Sequence, residues 1–405
     1  MIHSTTYSYK NYLLYSFLAF VFLGIAQEID ELFRAVFFLG ILPCTFLLLT
    51  KGKLWRKIKK DYTVGYVLAL LFTLYISVYW STTEDHQRTI IRHTRWLLWT
   101  SIFFISMFLY GFLQLHKTAH HRMAIQTTII IGGGCALLTY FLNGGFPARI
   151  TGQGLLDQII MSSSLLITLW AISIFNVTAS NVKELIPTII SFIVVLMYAL
   201  FNQSRAPLGA VIFSIIVFTL WMVRPLKIKV FVSITLLIIG GYLVWHFNLI
   251  DRLLVRGTSN RFIIWEAVLS ELNNFFWLGH GMATELMHTG IGDAIDAAMP
   301  KRHNHAHNLF LSTFAYGGVL PFSLLVFIFI TLTIKAFASK TKERPILIMV
   351  SLNLWILCFT DPSRLITSPQ ETWLLIWVPI GILAGALYKE KRLNQSSSIK
   401  RSDAS

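Results

Sequence analysis

The most constraining feature of this 405-residue chain is a succession of apolar runs of membrane-crossing length. A hydrocarbon core is spanned by roughly 17–25 apolar residues in a helix. No water is present there to bond the backbone, so each run must close its own hydrogen bonds as an α-helix. Twelve runs are predicted, at roughly 12–26, 32–49, 62–80, 96–115, 123–142, 159–177, 185–201, 208–223, 230–247, 309–334, 346–360 and 372–388. Charge is scarce to match. Only 13% of residues are charged, 55% are hydrophobic and mean hydropathy is +0.64. A soluble domain carries about 25% charged residues. An ordinary soluble enzyme and a disordered chain are both excluded.

The expected fold is therefore an all-α polytopic membrane protein. Residues 1–247 hold nine transmembrane helices, 248–308 a long outer loop, 309–388 three more helices and 389–405 a Ser-rich disordered tail. The first run lacks a small-residue cleavage site and reads as a retained helix. Cys44, Cys135 and Cys358 all sit in apolar runs, so no disulfide frame or Cys-based zinc site is readable.

Lysine and arginine in short loops set orientation. With the N-terminus on the cytoplasmic side, the inner segments hold 22 basic and 5 acidic residues, and the outer segments 12 and 14. The stretch Lys51-Gly-Lys-Leu-Trp-Arg-Lys-Ile-Lys-Lys60 alone supplies six inner positives. The net charge of +15 thus reflects topology and attraction to anionic lipid, and needs no nucleic-acid partner. The two cations are not distributed alike. Sixteen of 17 lysines fall inside, whereas 11 of 17 arginines fall outside: Arg34, Arg88, Arg92, Arg95, Arg149, Arg205, Arg252, Arg256, Arg261, Arg302 and Arg364. Outer arginine suits bidentate binding of phosphate or carboxylate. Pairing with outer acids or lipid headgroups is the plainer alternative.

Five constellations stand on the outer side. Asn202-Gln-Ser-Arg-Ala-Pro207 sets Arg205 at the membrane boundary, where it either lines a substrate path or snorkels as an anchor. Arg261 opens a helix with Phe262, Trp265, Leu269, Leu272 and Phe276 on one face, capped by Ser259 or Asn260, and a helix start favours anions. Lys301-Arg-His-Asn-His-Ala-His-Asn308 crowds three histidines before the tenth run. Metal capture is one reading, although no cysteine is near and Asp293 and Asp296 are weakly placed. A general base is another, since histidine takes a proton from a hydroxyl near neutral pH, and a merely polar loop is the third. His307 lies nearest the membrane, followed by Asn308 as an orienter or cap. Arg149-Ile-Thr-Gly-Gln-Gly154 reads as a turn re-entering the membrane. Glu28-Ile-Asp-Glu31 reads as a solvated acidic loop, with metal binding the alternative. No Walker A, H-E-x-x-H, G-x-S-x-G or EF-hand sequence occurs. Chemistry on the outer face has no ATP to draw on, so an activated substrate must arrive from the membrane.

In order, the chain presents Arg149-Ile-Thr-Gly152, Ser204-Arg205, Asn260-Arg261 with Trp265, Leu278-Gly-His-Gly281, His307-Asn308-Leu309 and Ala315-Tyr-Gly-Gly318. This series resembles the O-antigen ligase and polymerase superfamily, most closely the lipid A–core ligases. It departs from the family in lacking a proline at Asn273–Trp277 and in having Ala206 where a glycine is common. The resemblance implies a bacterial inner-membrane glycosyltransferase active on the periplasmic face, with both termini cytoplasmic. The implied donor is a polysaccharide on undecaprenyl diphosphate, and the acceptor a lipid A–core sugar hydroxyl. In the polymerase branch the acceptor is another lipid-linked repeat unit. The family implies an inverting, metal-independent reaction without cofactor. Carried onto this chain, Arg205, Arg261 and Arg149 bind diphosphate, His307 is the base, and Asn308 and His305 orient it or contact the acceptor. His303 and His305 remain alternative bases. A transporter of lipid-linked sugars is the competing class, but it requires charge within the helix cores, and these runs lack it.

Overall fold

Apolar runs bounded by capping side chains become helices in the computed structural model. It describes residues 2–222, 260–298 and 305–402, apart from 28, 52–53, 146–147, 178–180 and 361, together with scattered positions between 230 and 246. All regular structure among the described residues is helical. Among the described residues, eight helices are long and apolar enough to cross a membrane: α1 (Ser8–Ala26), α2 (Glu31–Thr50), α3 (Tyr62–Trp80), α4 (His86–Phe112), α5 (Ala119–Leu142), α7 (Val182–Asn202), α12 (Val319–Ala338) and α14 (Trp373–Gln395). Three shorter apolar helices, α6 (Ile159–Ser173), α8 (Arg205–Trp221) and α13 (Arg344–Cys358), coincide with three further predicted runs. The predicted run at 230–247 lies largely outside the described residues, as do Arg252, Arg256 and the segment 299–304. The chain is a multi-pass membrane protein.

Several starts are fixed by short polar side chains that accept orphan backbone N–H groups. Asp61 accepts from Thr63 N at 2.9 Å ahead of α3, and Asp85 from Arg88 N at 3.0 Å ahead of α4. Between helices, buried polar pairs act as joints, because lipid offers them no alternative partner. Thr45 and Ser106 meet at 2.7 Å between α2 and α4, Gln126 donates to Thr188 at 2.9 Å between α5 and α7, and Asn353 donates to Ser214 at 2.7 Å between α13 and α8.

The structure departs from the sequence expectation at two ends. The predicted run 309–334 is two helices, α11 (Leu309–Gly317) and α12, broken at Gly318. Gly318 has φ +76°, and the Trp277 carbonyl occupies the space a Cβ would need, so no other residue fits the break without displacement. The last helix also continues to Ser402, through residues whose Ser-rich composition predicts a disordered tail.

Among the described residues, α4 and α14 pack against each other most extensively. Gly381 and Gly385, spaced as small-xxx-small, lie directly on Met107 and Phe108 of α4, and Gly111 lies on the Ile382 backbone. In lipid, where apolar side chains gain little by leaving their solvent, such contact holds helices by dispersion alone. Gly385→Leu would drive a side chain into the Phe108 carbonyl, and overpacking of this kind costs about 1–3 kcal/mol. A lowered Tm of the purified variant in detergent is the expected result; an unchanged Tm would show that this contact does not hold the bundle.

Candidate active site

The first group forms where the Arg149 turn meets the end of α7. Arg149 Nε donates to the Asn202 carbonyl at 2.7 Å, and Ile150 N donates to the Phe201 carbonyl at 3.3 Å. These carbonyls belong to the last turn of α7, which has no intrahelical donors for them. The Asn202 side chain, fully buried, returns the contact through Nδ2 to the Ile150 carbonyl at 3.3 Å and to the Ile159 carbonyl, while its Oδ1 accepts from Ser163 Oγ at 3.1 Å. Gln203 then turns the chain with φ +55°, and Arg205 opens α8 as an exposed side chain with Pro207 buried in the first turn. One turn of backbone thus joins Arg149 and Arg205. Gly154 closes the other side of the Arg149 turn against the carbonyls of Gly24 and Gln27 at the end of α1.

The second group belongs to residues 260–298 and 305–308, which also include the short helix α10 (Gly290–Ala298). Arg261, half-buried, begins α9 (Arg261–Ser270), and Trp265 Nε1 on the same helix donates to the Ala306 carbonyl at 3.0 Å. Ala306 is buried between His305 and His307. The two imidazoles stand edge to face with centroids 4.0 Å apart, and His307 N donates to His305 Nδ1 at 3.3 Å. A ring nitrogen that accepts carries no proton, so a neutral His305 holds its proton on Nε2. His307 itself has φ +49°, a left-handed conformation that costs roughly 1–2 kcal/mol outside glycine. Asn308 fixes it from the other side. Its Oδ1 accepts from Phe310 N at 2.9 Å and Leu311 N at 3.1 Å, capping α11, and the residue is 2% exposed. Asn308 therefore serves as a cap that positions His307 through the backbone.

The loop is seated by two motifs that the sequence presents separately. α11 ends with carbonyls that lack intrahelical donors, and Leu278-Gly-His-Gly281 supplies them: His280 N donates to the Ala315 carbonyl at 2.8 Å and Gly281 N to the Tyr316 carbonyl at 2.9 Å. Val319 N, at the start of α12, donates to the Phe276 carbonyl at 2.8 Å. Gly279, with φ +71°, lies against the Tyr316 backbone with no room for a Cβ. The end of α3 holds the loop from below. Ser77 Oγ accepts from Met282 N at 2.9 Å, Ser81 Oγ from Ala283 N at 3.0 Å, and Trp80 Nε1 donates to the Leu278 and Gly279 carbonyls at 3.2 Å.

Three expectations change in detail. The helix from Arg261 is interrupted at Glu271, and its inward face is Ile264, Ala267 and Val268; Phe262 and Leu269 of the predicted stripe are 62% and 54% exposed. Asn260 stands at the cap position with φ +58° and no side-chain cap bond, while Ser259 lies outside the described residues. Other outer arginines have local contacts: Arg88 pairs with Asp85 at 3.4 Å, Arg92 lies over Trp96 at 5.3 Å and Arg364 over Tyr316 at 5.9 Å. Glu28, Arg302 and His303 lie outside the described residues, and among those described no three of His, Cys, Asp and Glu converge as metal ligands. The sequence reading missed Ser77 and Ser81. Their i, i+4 spacing at the outer end of α3 was the available signal.

Fold and site together define a helical multi-pass membrane protein in which a polar loop carries arginine and histidine. The O-antigen ligase family model matches residues 190–326, which include Arg205, Arg261, His305, His307 and Asn308. The chain is also 24% identical over 395 residues to an O-antigen ligase of Pseudomonas aeruginosa, covering 88% of this chain and 92% of that protein. The likeness to the O-antigen ligases carried by the sequence motifs is borne out.

His280 gives the loop a pH dependence. Burial lowers its pKa from the ordinary 6.5, partly offset by the negative charge of Glu271, and its Nε2 is buried with no hydrogen-bond partner among the described residues. Unfolding exposes the imidazole and restores its proton affinity. Its contribution is therefore complete above pH about 6.5 and is lost as pH falls through the depressed folded value. Thermal unfolding of His280→Gln should show a smaller loss of Tm between pH 7 and pH 5 than the wild type; equal losses would remove His280 from the account.

Proposed function

We propose that this protein is an inner-membrane glycosyltransferase that moves a polysaccharide from undecaprenyl diphosphate to a sugar hydroxyl of lipid A–core on the periplasmic face. The observation that carries the reading is the Trp265–Ala306 hydrogen bond, which makes the helix begun by Arg261 and the His305–His307 segment one mechanical unit. An oxyanion-stabilising arginine and a proton acceptor held in fixed relation are what a one-step displacement requires.

In that reaction the acceptor oxygen bonds to the anomeric carbon as the bond to the diphosphate oxygen breaks. His307 takes the hydroxyl proton on the face opposite the leaving group, so the anomeric centre inverts. Negative charge grows on the departing diphosphate, and Arg205, Arg261 and Arg149 stabilise it as it develops. Guanidinium groups then do electrostatically what a divalent ion does in other diphosphate-leaving reactions, which supports a metal-independent mechanism. The coupling of Arg149 to the Asn202–Arg205 turn favours assigning these two to the same diphosphate. His305 orients the base, and Asn308 fixes its backbone.

The test separates chemistry from folding. Loss of a general base lowers rates by about 10²–10⁴. His307→Ala should abolish transfer, and His307→Gly, which suits the positive φ, should do so at undiminished Tm. Arg205→Ala should weaken donor use and Arg205→Lys restore it only in part, because an ammonium cannot fork onto a phosphate. The readout is a lipopolysaccharide gel of a complemented deletion strain, beside an assay of undecaprenyl-linked glycan. Long chains missing from lipid A–core and accumulating on the carrier are expected. Core bearing a single repeat unit would indicate a polymerase instead, and two unchanged pools would return the question to a transporter. Full activity of His307→Ala would remove the base assignment, and loss of activity in chelator would reopen the histidine cluster and the acidic loop as metal ligands.

A further inference from the structure

At the end of the helices opposite the candidate site, a cavity of about 490 Å³ opens between the start of α3, the end of α12 and the last turns of α14. That lies within the roughly 300–1,000 Å³ of small-ligand sites. Ala338, Leu387 and Tyr388 form apolar wall, and Lys60, Lys335 and Lys391 bring three ammonium groups to it.

The three lysines share the cavity lining with two carboxylates, Asp61 and Glu390, which leaves it net positive, and the described acids at this end take their short contacts from other groups. Asp61, which also lines the cavity, caps α3 through Thr63 N. Glu184 pairs with Arg122 at 3.0 Å and Glu343 with Lys117 at 3.3 Å. Glu390 accepts from Ser339 Oγ with one oxygen and from Lys340 N with the other, both at 2.8 Å. Lys335 Nζ donates to a neutral hydroxyl, Thr63 Oγ1, at 3.0 Å. Among the described residues, none of the three lysines has a carboxylate oxygen within 4.0 Å. Lys335 sits one turn inside the end of α12, so the cavity lies at the boundary between apolar helix and polar loop.

We propose that this cavity holds the headgroup of an anionic phospholipid, with its phosphodiester among Lys60, Lys335 and Lys391 and its acyl chains entering the bilayer past Ala338 and Leu387. A singly charged phosphodiester suits ammonium point charges and needs no guanidinium fork. The lipid is a resident of the bundle rather than a substrate, because it lies at the opposite end of α3 and α12 from the outer loop. It joins three helices that are far apart in sequence, one of them the C-terminal α14.

The test uses the full-length protein in nanodiscs of phosphatidylethanolamine with and without phosphatidylglycerol. Native mass spectrometry after release reads the retained lipid. Wild type should retain phosphatidylglycerol in preference to phosphatidylethanolamine. A basic residue near anionic lipid strengthens binding roughly fivefold, so the triple variant Lys60→Gln/Lys335→Gln/Lys391→Gln should lose affinity on the order of a hundredfold. The charge-matched variant Lys51→Gln/Arg56→Gln/Lys59→Gln, altered on the same face but outside the cavity, should retain the lipid. If the triple variant does not fold, Lys335→Gln alone should show the roughly fivefold loss. Equal retention by the cavity variants, equal loss by the charge-matched control, or displacement of the lipid by inorganic phosphate alone would each overturn the assignment.

Discussion

The loop around Leu278–Gly281 depends on its backbone pairing of Phe276–Gly281 with Ala315–Val319. A helix that stops at Gly317 leaves carbonyls without donors, and the helix that starts at Val319 leaves an N–H without an acceptor. In an apolar surrounding each such group costs about 1–3 kcal/mol. The loop supplies both kinds of partner, through His280 N, Gly281 N and the Phe276 carbonyl. The break in the helix and the seat of the loop are therefore the same structure. Glycine is required on both sides, because the Tyr316 backbone fills the space of a Cβ at Gly279 and the Trp277 carbonyl that of a Cβ at Gly318.

From this seat the rest of the candidate site follows. The loop is tied down to α3 by Ser77, Trp80 and Ser81, and α9 is tied across to the chain before α11 by Trp265. Asn308 starts α11 and Gly318 ends it, so His307 enters a helix whose two ends are both fixed. The left-handed backbone of His307 is held by these neighbours, the circumstance in which a strained residue persists at a functional position. The proposed base thus owes its placement to contacts well removed from any reacting atom.

Much of this was legible in the sequence, and the reason differs by level. The membrane helices could be read because bilayer thickness imposes a length that nothing else in a soluble chain requires. Arg149, Arg205, Arg261 and His307 could be named as candidates because they stand at the edges of apolar runs in an order that resembles the O-antigen ligases; the roles given to them are the proposal. Their partners could not be read. That Leu278–Gly281 completes the end of α11 depends on which carbonyls lack donors, and this appears only once the helix is seen to break at Gly318. The apolar stripe from Phe262 to Phe276 was readable as one face of a helix, but the side that packs on the chain, Ile264, Ala267 and Val268, was not, since periodicity shows that a helix has an apolar side but not which side another element will cover. The exposed Phe262 and Leu269 keep their apolar surface outside the chain's own core.

The central claim is that Arg261 and His307 act as one unit because Trp265 joins them. Trp265→Phe keeps an aromatic ring and removes only the hydrogen bond to the Ala306 carbonyl. The direct measurement is turnover of purified Trp265→Phe in nanodiscs, with undecaprenyl-diphosphate-linked glycan as donor and lipid A–core as acceptor. The account predicts a kcat lowered about tenfold or more at little-changed KM for donor, since misplacement by about 1 Å costs rate rather than binding. Wild-type kcat in a variant shown to lack that hydrogen bond would contradict it.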